Sequence, residues 1–486
     1  MSYSRNLLVP LLAGLAIICG LVASTPQASA ARPLVTGITI PDAGWTEQLG
    51  YDRIREAGAS FTRVGLFWDR IVSANEPSNW DPTDPADPHY NWAEIDHQVT
   101  ASVAAGVTPM IQIFSAPRWA ERCVAPGEPG ICNPDPVDFQ RFTAAAVKRY
   151  SGDFEGLPKV RYWEPWNEPN LHIFFKPQRV GKKRPSPTLY RELLNRFAAV
   201  VKNSDSSNLV VGGGLAPLGG TASIGPLDFA RRMLCMTGRK KPKPIRGCSG
   251  TARFDIWAVN PYTTGGPTQS AISPDDVQLG DVKEMTQLIR AARKAGKIKS
   301  AKPYVPIWVT EFSWDSKPPD PNGLPMGLLS RWAAEAMYRS WTAGVDNFFW
   351  LSLRDWAHQP GHPFNESIES GLWFRGKTIQ DDRPKQVLKA FRFPFVSFRN
   401  KKGILVWGRT PTSKSGAVTI RFGNARGNVN RKIKVVRPNK FGVFQTVVLT
   451  RLGRNKRGFL TATFGGETSL PFSLKPVKNF RHPPFG

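Results

Sequence analysis

Glu168 and Glu311 are the two side chains whose setting in this sequence suits them best to chemistry. Glu168 lies in Trp163-Glu164-Pro165-Trp166-Asn167-Glu168-Pro169-Asn170, and Glu311 lies in Thr310-Glu311-Phe312, 143 residues further on. Each follows an apolar, strand-like run, 160–166 in one case and 304–309 in the other. Two carboxyl groups delivered by separate strands are what cleavage of a glycosidic bond requires. One must be protonated to help the leaving oxygen depart, and the other ionised to attack or stabilise the anomeric carbon. In the retaining form of that reaction the two carboxyls stand about 5–5.5 Å apart. It needs no metal or organic cofactor. No Cys-X-X-Cys pair or His/Cys cluster of metal-binding spacing occurs, so a structural zinc site is not expected either.

The elements that must position these groups alternate in a regular order. Strand-like runs fall at 34–40, 61–68, 108–115, 160–166, 209–215, 254–262, 304–311 and 346–353. Helical patterns lie between them at 92–105, 137–150, 187–202, 282–295 and 328–343, and one more follows at 384–391. Leu329, Trp332, Ala333, Ala336, Met337 and Trp341 recur close to every 3.6 residues, as an amphipathic helix requires. Eight strand–helix repeats predict an α/β fold, a (β/α)8 TIM barrel over residues 31–393 with enlarged loops. Glu168 and Glu311 then sit at the ends of the fourth and seventh strands, on the barrel face where catalytic groups gather. From Val396 to Leu474 the pattern changes to short alternating runs between Gly, Asn, Pro and basic turns. That predicts a second, all-β domain over 394–486, an immunoglobulin-like sandwich of about seven strands. Residues after Lys475 read as a disordered end.

Trp166-Asn167-Glu168-Pro169-Asn170-Leu171 resembles the glycoside hydrolases of clan A. The resemblance is greatest to family 39 and related exopolysaccharide-cleaving endoglycosidases, with family 5 next, and it covers roughly residues 33–393. It implies that Glu168 is the acid/base and Glu311 the nucleophile of a retaining hydrolase. Asn167 would bind the sugar 2-hydroxyl, Arg63 would hold the nucleophile ionised and Tyr262 would donate to it. Trp350 would floor the reacting sugar. Asn260 stands where the family often has histidine. The two carboxyls would then titrate apart, with Glu311 charged beside Arg63 and Glu168 keeping its proton in a drier setting lined by tryptophan.

Sugars present apolar C–H faces, so subsites need aromatic platforms. Trp68, Trp119, Trp163, Phe174, Trp314, Trp350, Trp356 and Trp373 fall at or near strand ends or in the loops that follow. Trp163, inside its strand, reads as core, whereas Trp314, Trp356 and Trp373 read as subsite residues. His172 follows the motif and either lines the pocket or sits solvated in its loop. Glu164 reads as a hydrogen-bonded barrel residue, and Asp255 and Asp355 as structural or substrate-binding.

The chain opens with Arg5, an apolar run from Leu7 to Ala23 and Ala28-Ser29-Ala30, the order of a secretory signal peptide over 1–30. An uncleaved anchor is the alternative, and Cys19 leaves with the signal. The remaining cysteines, Cys123 with Cys132 and Cys235 with Cys248, pair most economically as two short disulfides in an oxidising, extracellular compartment. Charge is uneven. Residues 395–486 hold 19 Lys and Arg against one acid, Glu467, and so carry +18 of the chain's +27. Such a segment either binds an anionic polymer, binds sugar through Trp407 or exposed Phe, or is a packing domain with solvated charge. The partner expected at the barrel is a polysaccharide or oligosaccharide. A catalytically inactive wall- or carbohydrate-binding protein and a transglycosylase are the competing functions. Nucleic-acid processing has only the net charge in its favour, without a metal cluster or phosphate loop.

Overall fold

The computed structural model describes residues 32–485, apart from 41–46, 124–129, 365–366, 425–428 and 449–457. The expected signal peptide and Cys19 lie outside the described residues. Eight parallel strands close a barrel: β1 Val35–Ile40, β2 Phe61–Phe67, β3 Thr108–Phe114, β4 Tyr162–Pro165, β5 Leu209–Leu215, β6 Ile256–Val259, β7 Ile307–Val309 and β8 Val345–Leu351. Closure is made by β1 against β8, with Ile38 opposite Trp350. Around the barrel run α1 Gln48–Glu56, α2 Ala93–Ala104, α3 Pro136–Arg149, α4 Ser186–Ser204, α5 Pro226–Met233, α6 Val282–Lys294, α7 Met326–Ala343 and α8 Gln386–Arg392. The expected TIM barrel is therefore present, with each strand close to its expected position. The sequence pattern did not single out α1 and α5.

Strand side chains alternate inward and outward, so each step of two residues climbs one layer inside a barrel. The lowest layer is apolar. Phe61, Tyr162 and Trp308 meet edge to face or tilted, with centroids 5.1–5.4 Å apart, and pack with Met110, Val211, Ile256 and Phe349. Two residues further along the same strands stand Arg63, Glu164, Thr310 and Leu351. The floor of the barrel is thus an aromatic plug, and the polar layer above it opens to the strands' C-terminal ends.

The strands that follow residue 394 are antiparallel. β9 Phe395–Asn400, β10 Gly403–Arg409 and β13 Val443–Val448 form one sheet. β11 Val418–Gly423, β12 Val429–Val436, β14 Phe459–Phe464, β15 Glu467–Thr468 and β16 Phe472–Ser473 form the other. Phe398 of β9 meets Phe472 of β16 edge-on across the gap at 5.4 Å, and Val396, Val406, Ile420 and Leu460 are buried in the same core. Trp407 is fully buried against Tyr338 and Trp341 of α7, at 5.5 and 5.8 Å. Both expected disulfides are present, with Cα separations of 5.4 Å for Cys123–Cys132 and 5.6 Å for Cys235–Cys248.

The stretch after Lys475 is not the disordered end that its composition predicts. It returns across the barrel mouth, where Arg481 bridges Gly265 and the Pro484 carbonyl accepts from the Asp315 N–H at 2.8 Å. Asparagine, glycine and backbone amides in distant loops satisfy its polar groups, and local composition does not report such contacts. Among the described residues no helix is long and apolar enough to cross a membrane.

Candidate active site

Arg63 organises the mouth of the barrel. It is 2% exposed and points inward from β2. Its Nε donates to Glu164 Oε2 at 2.7 Å, its Nη1 to Glu311 Oε1 and its Nη2 to Asn167 Oδ1 at 3.3 Å. One rigid guanidinium fork thereby ties β2 to the ends of β4 and β7, which a flexible lysine would not do. Glu164 occupies the inward position of β4 against Gly214 of β5. A Cβ on Gly214 would come within 2.8 Å of Glu164 Oε1, so only glycine, here at φ +59°, leaves room for the carboxylate. Burial pushes the Glu164 carboxyl up to about 7 despite Arg63.

Glu311 lies two residues beyond β7. Besides Arg63, the Tyr262 hydroxyl donates to its Oε2 at 3.2 Å. Glu168 lies three residues beyond β4 at φ +39°, a left-handed conformation that costs energy for a side chain other than glycine and often marks a functional turn. It is 8% exposed. Asn260 Nδ2 donates to its Oε1 at 2.9 Å, and the Thr310 hydroxyl fixes that amide by donating to Asn260 Oδ1 at 2.8 Å. Burial, and then the negative charge of Glu311, push the Glu168 carboxyl up to about 8, with Asn260 and Arg63 opposing. Burial thus favours the protonated form of Glu168 at neutral pH, while Glu311 accepts from Arg63 and Tyr262.

Two adjoining hollows meet over Glu311. One, of ≈ 270 Å³, is lined by Thr39, Arg63, Gln112, Asn167, Phe174 and Trp356 among others. The second, of ≈ 420 Å³, holds Glu168, Tyr262, Pro217, Pro484 and Phe485. Glu311, Leu351 and Ile368 line both. The indole N–H of Trp356 has no partner among the described residues. Gln112 donates to Trp166 O at 2.9 Å and to Asn167 Oδ1 at 3.2 Å, so it orients Asn167.

Of the expected site residues, the structure gathers Glu168, Glu311, Arg63, Asn167 and Tyr262 at these hollows. It places four elsewhere. Trp350 is fully buried on the outer face of β8, 6.3 Å from Phe391 of α8, and its N–H donates to Ser370 O. Leu351, one residue on and of opposite parity, faces the cavity in its stead. Trp314 is also fully buried, edge-on to Phe312 and donating to Gly265 O. His172 is exposed in its loop, and its backbone N–H and Nδ1 both meet Ser223 Oγ at 3.1 Å. Trp373, expected in a subsite, is buried under Arg53. Gln112 and Thr39 were missed. A polar residue inside the apolar run Pro109-Met110-Ile111-Gln112-Ile113 is the kind of signal that could have found the first. Among the described residues no group of His, Cys, Asp and Glu is placed to hold a metal ion.

No family model matches the sequence, and no curated protein does. Solved structures do resemble it in fold. A family 39 glycoside hydrolase from the gut symbiont Bacteroides cellulosilyticus WH2 is 16% identical, covering 86% of this chain and 82% of its own, with a TM-score of 0.51. A monomeric β-xylosidase from Caulobacter crescentus CB15 is 18% identical over 86% of this chain and 94% of its own, with a TM-score of 0.50. A family 39 enzyme from Xanthomonas axonopodis pv. citri is 16% identical over 86% and 92%, again at 0.50. At these identities the likeness is one of fold. The expected similarity to the family 39 architecture is therefore found independently of the motif.

Proposed function

We propose that this chain is a retaining glycoside hydrolase that cleaves β-linked oligosaccharides or polysaccharides, exported and acting outside the cell. One observation carries the proposal: two glutamates line one cavity in different settings. Glu168 is held protonated by burial and by its neighbour's charge, and Glu311 is cradled by Arg63 and Tyr262. In the first step a Glu311 oxygen attacks the anomeric carbon. The bond to the leaving oxygen breaks, and that oxygen takes the Glu168 proton. In the second step Glu168, now a carboxylate, removes a proton from water as the water attacks the same carbon and releases Glu311. Asn167, steadied by Arg63 and Gln112, is available to bind the hydroxyl beside the reacting carbon, and Trp356 lines the same hollow. Export is supported by the two disulfides and by the order of residues at 1–30. The neighbouring β-xylosidase makes xylosides the first substrates to try.

A panel of β-glycosides followed by proton NMR of the released sugar tests the proposal. The expected product keeps the β configuration at first appearance. Glu311→Gln should abolish turnover in a chain that still folds, and Glu168→Ala should recover with azide or with an activated leaving group. Inverted product, or full activity in the Glu311 variant, overturns the assignment.

A further inference from the structure

We propose that Phe485, carried across the barrel mouth by residues 479–485, is an aromatic wall of the leaving-group subsite and sets which leaving groups the enzyme accepts. The inference rests on the hydrolase function proposed above and deepens it. The acid must reach the departing oxygen, so the hollow that contains Glu168 receives the leaving group. The hollow with Arg63, Gln112 and Asn167 receives the sugar that is transferred. Phe485 lines the first of these and not the second. Its ring is half-buried, 5.1 Å from the ring of Tyr262, whose hydroxyl holds Glu311.

The segment that carries Phe485 is tied down along its length. Asn479 accepts from Gly266 N at 2.5 Å and donates to Gln269 Oε1 at 2.9 Å. Phe480 packs on Trp332 of α7 at 5.1 Å, His482 N donates to Thr264 O at 3.0 Å, and Asp315 N donates to Pro484 O at 2.8 Å. The receiving loop is cut to fit. A Cβ on Gly265 would come within 2.9 Å of Phe480 O, and one on Gly266 within 2.6 Å of Asn479 Oδ1. The segment therefore cross-links the loop after β6, which bears Tyr262, to the loop after β7, which bears Glu311. An aromatic face held this way can stack on the apolar face of a sugar ring next to the acid.

The test compares wild type with Phe485→Ala, Phe485→Tyr and a chain ending at Lys478, using β-xylosyl fluoride and xylotriose, or the same pair for whichever sugar the panel selects. Fluoride is too small to fill the leaving-group hollow, whereas a sugar leaving group fills it. Phe485→Ala and the shortened chain should lower the ratio of kcat/KM for the oligosaccharide to that for the fluoride by about tenfold, most of it in KM, and Phe485→Tyr should restore it. An equal fall on both probes would reduce the segment to a scaffold and overturn the proposal. A rise on the oligosaccharide would overturn it as well, because the segment would then obstruct the site. If wild type cleaves neither probe nor any member of the panel, the hydrolase function itself fails, a result distinct from either of these.

Discussion

The proposed chemistry turns on a proton that Glu168 keeps where an ordinary glutamate would lose it. Because the folded protein holds this carboxyl up to about 8, the acid limb of catalysis survives through neutrality, and kcat/KM should fall only as pH rises past that value. Glu168→Gln, assayed with a dinitrophenyl glycoside that needs no acid, should lose this basic limb. A limb that persists would belong to another group. The same shift has a sign in stability. The unfolded chain releases this proton near the ordinary glutamate value of 4.5 while the folded chain retains it to about 8. Raising the pH between those values therefore favours unfolding, and the folded state is most secure below the window. Glu168→Gln keeps the bond from Asn260 without carrying a charge, so its stability advantage over wild type should grow between pH 5 and pH 9. A gain on the order of a few kcal/mol is expected, to be read by thermal unfolding at both pH values. An advantage that stays flat with pH would mean that burial does not hold the proton.

Strands place these residues, and their alternation decides which were visible in advance. In β2, β4 and β7 an apolar residue and the polar one two places on, such as Phe61 and Arg63, mark the inward face, so the layering inside the barrel could be read from sequence. β8 gives no such cue. Phe348, Phe349, Trp350 and Leu351 are apolar on both faces, and parity could not tell that Trp350 looks out to Phe391 while Leu351 looks in. Trp314 was misplaced for a related reason: a loop indole is drawn under the loop when a carbonyl, here that of Gly265, satisfies its N–H. Asn260 and Gln112 were harder still, because their partners come from other strands. The Arg63–Glu164 pair lends itself to a test of this layer. Arg63→Met leaves Glu164 charged or protonated without its partner in a dry interior and should cost about 3–5 kcal/mol in urea unfolding. Arg63→Met combined with Glu164→Met should cost clearly less than the single change, while both proteins lose activity at least about a hundredfold because Glu311 has lost its cation. Additive costs would mean that the pair is not coupled.

Across the whole molecule, the steep change in charge near residue 394 suggests two separable bodies, but the packing argues for one cooperative unit. Trp407 of the small sheet is buried among Tyr338 and Trp341 of α7, as completely as any residue of the barrel core. The Arg392 guanidinium, at the end of α8, pairs with both oxygens of Glu467 at 2.7 and 2.8 Å, and Arg409 reaches back to Gly58 O. Glu467, the one acid in residues 395–486, is thus committed to the barrel, and exposed basic side chains such as Lys401, Lys402 and Arg421 are open to any polyanion they meet. Such contacts weaken steeply as salt screens them. Covering α7 is a different kind of contribution, since it removes apolar surface from water at any ionic strength. Calorimetry of the intact chain should therefore give one transition whose midpoint barely moves between low and high salt. Trp407→Ala should lower stability by about 3–5 kcal/mol, because an indole-sized void opens between sheet and helix. If the sheet were an appended module, its melting would separate from that of the barrel. In that case Trp407→Ala would shift only the sheet's transition and leave glycoside turnover at the barrel temperature untouched. In the coupled molecule the same substitution loosens α7, whose Trp332 supports Phe480 and, through it, the segment lining the catalytic mouth. Loss of oligosaccharide turnover should then run parallel to loss of the single transition.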